Sequence, residues 1–186
     1  VYAMFYDMFK DRLIFRTEHQ IFSFDLDTKT IQLLSTFEST HSEIWGQQTA
    51  YNPLTDKILI WKFVSDYYSS YYKSFYIDLK NGEVIKSIAF PDNAHFSFPA
   101  CDIIHDKYLY CNAFTDSIFE FNPMEGKSTY VSTMCFENYA HLNSQTQVFD
   151  YVNNAYLIPI YKNNTNFLDI NDLNSSISYC IDFQSF

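Results

Sequence analysis

An all-β chain folded as repeated four-stranded antiparallel sheets is what this sequence predicts, and three observations predict it. First, a strand-like run ends in Asp or Asn, and four residues later a second Asp or Asn opens another apolar run. The pairs are Asp7/Asp11, Asn52/Asp56, Asp102/Asp106 and Asp150/Asn154, with 45, 50 and 48 residues between successive second members. Second, β-branched and aromatic residues dominate, and aromatics alone make up 20% of the chain. Third, no long i, i+3, i+4 pattern of apolar residues occurs. A repeat of this length in an all-strand sequence marks a β-propeller blade. The chain is therefore expected to be one β-propeller-like domain, residues 1–186, with repeats at approximately 1–40, 41–92, 93–138 and 139–186. It forms either a closed four-bladed ring or a segment of a larger propeller. A single β-sandwich is the competing architecture, because it too strings short strands at regular spacing.

Each repeat reads as strands A to D. Strand A ends in Phe5-Tyr6-Asp7, Ala50-Tyr51-Asn52, Ala100-Cys101-Asp102 and Val148-Phe149-Asp150. The closing Asp or Asn suits a tight turn, since its side chain can accept hydrogen bonds from nearby backbone N–H groups. Strand B follows as Leu13-Ile14-Phe15, Ile58-Leu59-Ile60, Tyr108-Leu109-Tyr110 and Tyr156-Leu157-Ile158. These continuous apolar runs fit a strand covered on both faces. Strand C alternates, and the runs ending at Asp25, Asp78, Asn122 and Asn171 align with one another. A hairpin turn comes next, clearest at Asn81-Gly82, where both residues tolerate positive φ. Strand D then covers approximately 31–37, 84–90, 128–134 and 177–183.

The Asp78-Leu79-Lys80-Asn81-Gly82-Glu83 stretch and the aromatic strand before it resemble the blades of the quinoprotein-like and WD-type propellers. Residues 75–85 match best, with copies at 22–31, 119–128 and 168–177. The resemblance implies a propeller scaffold. Quinoprotein blades usually add a Trp a few residues after the Gly, whereas Val84-Ile85-Lys86 holds none and the Gly is absent at Lys29 and Ser175. No quinone or other cofactor is therefore expected.

Composition narrows the function. Twelve basic and 22 acidic residues give a net charge of −10, which repels phosphate backbones, so nucleic acid is not an expected partner. No run of 18 apolar residues exists to form a membrane-spanning helix. The sequons at Asn163 and Asn174 are as many as chance gives for this Asn, Ser and Thr content, so they do not assign a compartment. Cys101, Cys111, Cys135 and Cys180 include no C-x-x-C pair. Cys101 and Cys111 flank the Asp106 turn, and either a disulfide across two strands or buried thiols fits them.

Two groups of residues are candidates for binding. His41, His95 and His141 each lie in the connection between one strand D and the next strand A, loops that gather on one face of a propeller. Their spacings to the Asp or Asn that closes the next strand A (Asn52, Asp102 and Asp150) are 11, 7 and 9 residues, and a structural role competes with a ligand-binding one. The second group is the expanded B–C connection of the second repeat, where Asp56 and Asp78 are 22 residues apart against 14, 16 and 17 elsewhere. Its Tyr67, Tyr68, Tyr71 and Tyr72 offer rigid contact area with a polar tip, suited to protein or carbohydrate recognition. The alternative is a long hairpin with the tyrosines paired across it. Trp45 lies in the same group of connections, as do the carboxylates Glu43, Asp66 and Asp92, while Trp61 reads as core. The expected function is a non-enzymatic module that recognises a protein or glycan. The alternatives are a hydrolase or lyase using carboxylates and histidines near the axis, and structural blades of a larger propeller chain.

Overall fold

The structure, a computed structural model, describes residues 3–37, 48–65, 70–91, 97–112, 115–134, 148–150, 153–162 and 165–182. Among the described residues sixteen strands form four antiparallel sheets, each in simple chain order. The first sheet contains β1 (Ala3–Asp7), β2 (Arg12–Arg16), β3 (Gln20–Asp25) and β4 (Ile31–Thr36). The second contains β5 (Gln48–Asn52), β6 (Lys57–Ser65), β7 (Ser70–Asp78) and β8 (Glu83–Pro91). The third contains β9 (Ser97–Asp102), β10 (Lys107–Asn112), β11 (Ser117–Asn122) and β12 (Lys127–Thr133). The fourth contains β13 (Val148–Asp150), β14 (Ala155–Lys162), β15 (Thr165–Asp172) and β16 (Ile177–Asp182). Among the described residues there is no helix, and so none long and apolar enough to cross a membrane. This is the repeated four-stranded blade that the 45–50-residue period predicts.

The chain divides into two compact units, Val1–Asn93 and Ala94–Phe186, each holding two sheets. In the first unit, Ile14 and Ile21 of the first sheet and Phe37 just after β4 pack with Tyr51, Ile58, Ile60, Phe75 and Ile77 of the second. In the second unit, Leu109, Cys111, Ile118 and Met134 pack with Tyr156 and Ile158. Each core therefore lies between two sheets. Strand B needs apolar residues on both of its faces for this reason, and Ile58, Leu59, Ile60 and Trp61 are all fully buried. The fourth strands are the opposite: β4 and β12 are exposed along most of their length. A bulge in the C–D pairing recurs at Ile21/Phe22, Tyr76/Ile77 and Ile118/Phe119, and such bulges increase the local twist of a sheet.

The Asx pairs have a direct conformational cause. Each second member, Asp11, Asp56, Asp106 and Asn154, has φ between 45° and 58°. This is the left-handed region, which Asp and Asn tolerate better than other side-chain-bearing residues. Each first member accepts backbone N–H bonds across the turn. Asn52 Oδ1 accepts from Leu54 at 3.0 Å, and Asp102 Oδ1 from Ile104 at 3.0 Å and His105 at 3.2 Å. The C–D turns use the same device, with Asp25, Asp78, Asn122 and Asp172 as acceptors. The two turns are then tied together, because the N–H of Leu26, Leu79 and Leu173 donates to the carbonyl of Asp11, Asp56 and Asn154.

One alignment is corrected. The strand C residue equivalent to Asp78 in the fourth sheet is Asp172, not Asn171. Asp78 lies opposite Lys57, and Asp172 lies opposite the corresponding Ala155. The left-handed turn residue is accordingly Ser176 (φ 56°), not Ser175. A one-residue slip exchanges the two faces of a strand. Asn171 thus faces the interior with no exposed surface, and its amide reaches the carbonyl of Tyr156.

Candidate functional site

The A–B turns of the first and second sheets bring charged side chains together. In the first unit, Arg12 of the first sheet donates to Asp7 Oδ2 at 3.0 Å and to Asp56 Oδ1 of the second sheet at 2.5 Å. Lys10 also pairs with Asp56. The Tyr51 hydroxyl lies 2.9 Å from Asp7 and 3.0 Å from Asp56. Asp7 and Asp56 are buried. Burial, reinforced by the Asp56 and Asp7 charges, pushes the Tyr51 hydroxyl well above its usual range, so it remains a proton donor. Burial works against the Arg12 charge, but the bonds to Asp7 and Tyr51 and the field of Asp56 outweigh it and raise its pKa. Two carboxylates are matched by two cations, which makes this cluster a lock between sheets.

The second unit places different residues at the same positions. His105 and Lys107 stand where Lys10 and Arg12 stand, and Asn154 replaces Asp56. The bridging carboxylate is gone, and His105 and Lys107 pair within their own sheet. His105 Nδ1 lies 2.6 Å from Asp102 Oδ2, and Lys107 Nζ lies 2.8 Å from Glu120 Oε2. Asp102, His105, Lys107, Glu120 and Asn154 line a cavity of about 180 Å³. Leu109, Val131 and Leu173 supply its apolar lining. Sequence reasoning missed this site. The available signals were the change from Asp to Asn in the fourth Asx pair and the His and Lys at 105 and 107.

Of the residues singled out by sequence, Tyr71 and Tyr72 lie in the strand β7 rather than in a loop. They stand opposite Val64 and Phe63 on β6, and opposite Pro91 and Phe90 on β8. Both are half-buried. Strands β6, β7 and β8 have nine residues each, against five or six for their counterparts in the first sheet. The additional four residues of β6 relative to β2 extend the sheet by roughly 13 Å. Tyr67, Tyr68, Trp45, His41, His95 and His141 lie outside the described residues, as do Glu43, Asp66 and Asp92. Trp61 is fully buried, as expected. Among the described residues no group of three His, Cys, Asp or Glu side chains is placed to hold a metal.

The cysteines separate into two kinds. Cys101 and Cys111 are thiols outside any disulfide. They do not face each other, because Cys101 is opposite Tyr108 and Cys111 is opposite Ser97. Cys111 lies 3.2 Å from the Met134 sulfur, and burial raises the Cys101 thiol strongly. Cys180 is disulfide-bonded, and Cys135 lies outside the described residues.

No protein-family model matches the chain, and no curated protein is similar to it in sequence. Solved structures share its fold. A nidogen/laminin complex matches with a TM-score of 0.64 at 12% identity, over 92% of this chain and 62% of that one. The dipeptidyl peptidase 4 of Porphyromonas gingivalis matches with a TM-score of 0.54 at 11% identity, over 90% and 30%. An auxiliary nutrient binding protein from Bacteroides thetaiotaomicron matches with a TM-score of 0.54 at 9% identity, over 97% and 41%. These likenesses, together with the four antiparallel sheets, define the fold as of the β-propeller type. This chain spans less than two thirds of each of the three.

Proposed function

We propose that this chain is a non-enzymatic binding module that recognises a protein or glycan through the lengthened second blade. The supporting observation is the nine-residue length of β6, β7 and β8, which carries Tyr71 and Tyr72 beyond the span of the first sheet. Tyr67 and Tyr68 stand in the connection joining β6 to β7. Tyrosine gives contact area at low conformational cost and keeps a hydroxyl for polar partners. His41, His95, His141 and Trp45 stand in the D–A connections of the sequence and are further candidates for partner contact. A protein partner is favoured by an extended sheet, which presents a broad face rather than a closed cleft, and a nidogen/laminin complex shows the fold in one such assembly. Replacing Tyr67, Tyr68, Tyr71 and Tyr72 together with Ser is expected to abolish partner capture while the melting temperature stays within a few degrees. A collapse of stability would instead place the tyrosines in the core. A glycoside and ester hydrolysis screen, run with and without chelator, is expected to be silent.

A second reading places these blades within a longer propeller chain. It is favoured by the 30–62% coverage of the three structural neighbours. Reading the full-length open frame for further copies of the Asx-pair repeat tests it.

A further inference from the structure

The two units solve the same boundary differently. In the first, the C–D turn of the second sheet sits hard against β4: a Cβ on Gly82 would come within 2.3 Å of the Leu34 carbonyl oxygen, and Ser35 Oγ donates to the Gly82 carbonyl at 2.7 Å. The equivalent turn residue in the fourth sheet is Ser176, whose side chain forbids that approach. The bridging Asp56 is likewise replaced by Asn154. The second boundary is held at a different place, where Ser178 Oγ donates to the Thr133 carbonyl, and a cavity of about 180 Å³ stands beside the exchanged Asn154.

Its size and charges select a ligand. The volume falls below the roughly 300–1,000 Å³ of drug-sized pockets, so the occupant is a small solute. Asp102 and Glu120 face the single fixed cation of Lys107, and His105 is held by Asp102. A simple anion can pair with Lys107 only, and a simple cation with the carboxylates only. A zwitterion can use both: its carboxylate takes Lys107 and its ammonium takes Glu120, so one ion pair becomes two. Val131 and Leu173, packed on the core cluster that contains Leu109, give an apolar side chain a place to lie. We propose that this cleft binds a free α-amino acid with a small apolar side chain, its carboxylate standing in for the one Asp56 supplies in the first unit. The site does not depend on the partner-binding reading above, and its test has a separate readout.

The test is calorimetric or NMR titration of the whole chain with L-leucine and L-valine, beside isocaproate, which lacks the amine, and isoamylamine, which lacks the carboxylate. The amino acids are expected to bind, and each singly charged analogue to bind at least about tenfold more weakly. Glu120→Gln should weaken L-leucine by about tenfold and leave isocaproate no weaker. Asn154→Asp, which adds a carboxylate to the lining of the cavity, should weaken it similarly, and circular dichroism confirms that each variant is folded. No binding of either amino acid at about 10 mM overturns the proposal. So does isocaproate binding as tightly as L-leucine, or L-leucine binding unchanged in both folded variants.

Discussion

Asp56 serves two purposes at one position. Its backbone takes the left-handed conformation at φ 58°, and its carboxylate meets Lys10, Arg12 and Tyr51. Asp56→Asn keeps the turn preference but removes the charge. It leaves Arg12, largely buried, with Asp7 as its carboxylate partner, and breaking a buried pair in this way costs about 3 kcal/mol. Urea denaturation should show that loss, and a change below about 0.5 kcal/mol would mean that the cluster contributes nothing measurable. Tyr51 gives a pH dependence with a definite sign. Its folded pKa lies far above the ordinary value of 10.0 because of burial and the neighbouring carboxylates. The folded chain therefore keeps a proton that the unfolded chain releases above about pH 10. Stability from this group is complete below that pH and falls as the pH rises further. Tyr51→Phe should flatten the alkaline limb of a stability–pH profile. The Asx pairing was legible from residue identity alone because a turn needing positive φ and a side-chain acceptor admits few residue types. The lock between Arg12 and Asp56 was not, since 44 residues separate its members and nothing local marks them as neighbours.

At the scale of elements, the hairpin turns discriminate between blades. Gly82→Ala would put a Cβ 2.3 Å from the Leu34 oxygen and strain a residue at φ 76°. The loss should be at least about 2 kcal/mol by denaturant titration. Ser176→Gly at the matching position should be neutral or stabilise by up to about 1 kcal/mol, because glycine adopts that conformation without penalty. Equal responses at the two positions would contradict the difference between the two boundaries. Most strands were legible because Asx residues punctuate them and alternation marks their faces. Strand C of the fourth sheet was not, since Asn171-Asp172 offers two adjacent candidates for the turn acceptor. The decisive signal was the following Leu173, which repeats the Asp-Leu step of Asp25-Leu26 and Asp78-Leu79. The long β6–β7 hairpin was one of two readings of the tyrosine-rich segment. Pairing with β8 as far as Pro91 placed Tyr71 and Tyr72 within the sheet.

Across the whole molecule, each compact unit has its own core between two sheets. The cysteines provide a chemical check that spans both levels of order. In the native chain, buried Cys111 and the raised Cys101 thiol should react slowly with an alkylating reagent. In denaturant both should label, while Cys180 should label only after reduction. Mass spectrometry of the peptides reads this directly, and labelling of Cys180 without reductant would contradict the disulfide. Strand order, turn positions and the all-β class follow from the sequence by itself, because they depend on local conformational preference and on a period of two between neighbours. Tertiary structure alone decided which charges meet and where a cavity opens. Those outcomes depend on how closely two sheets approach, and that distance is governed by single contacts such as Gly82 against Leu34 between residues far apart in the chain.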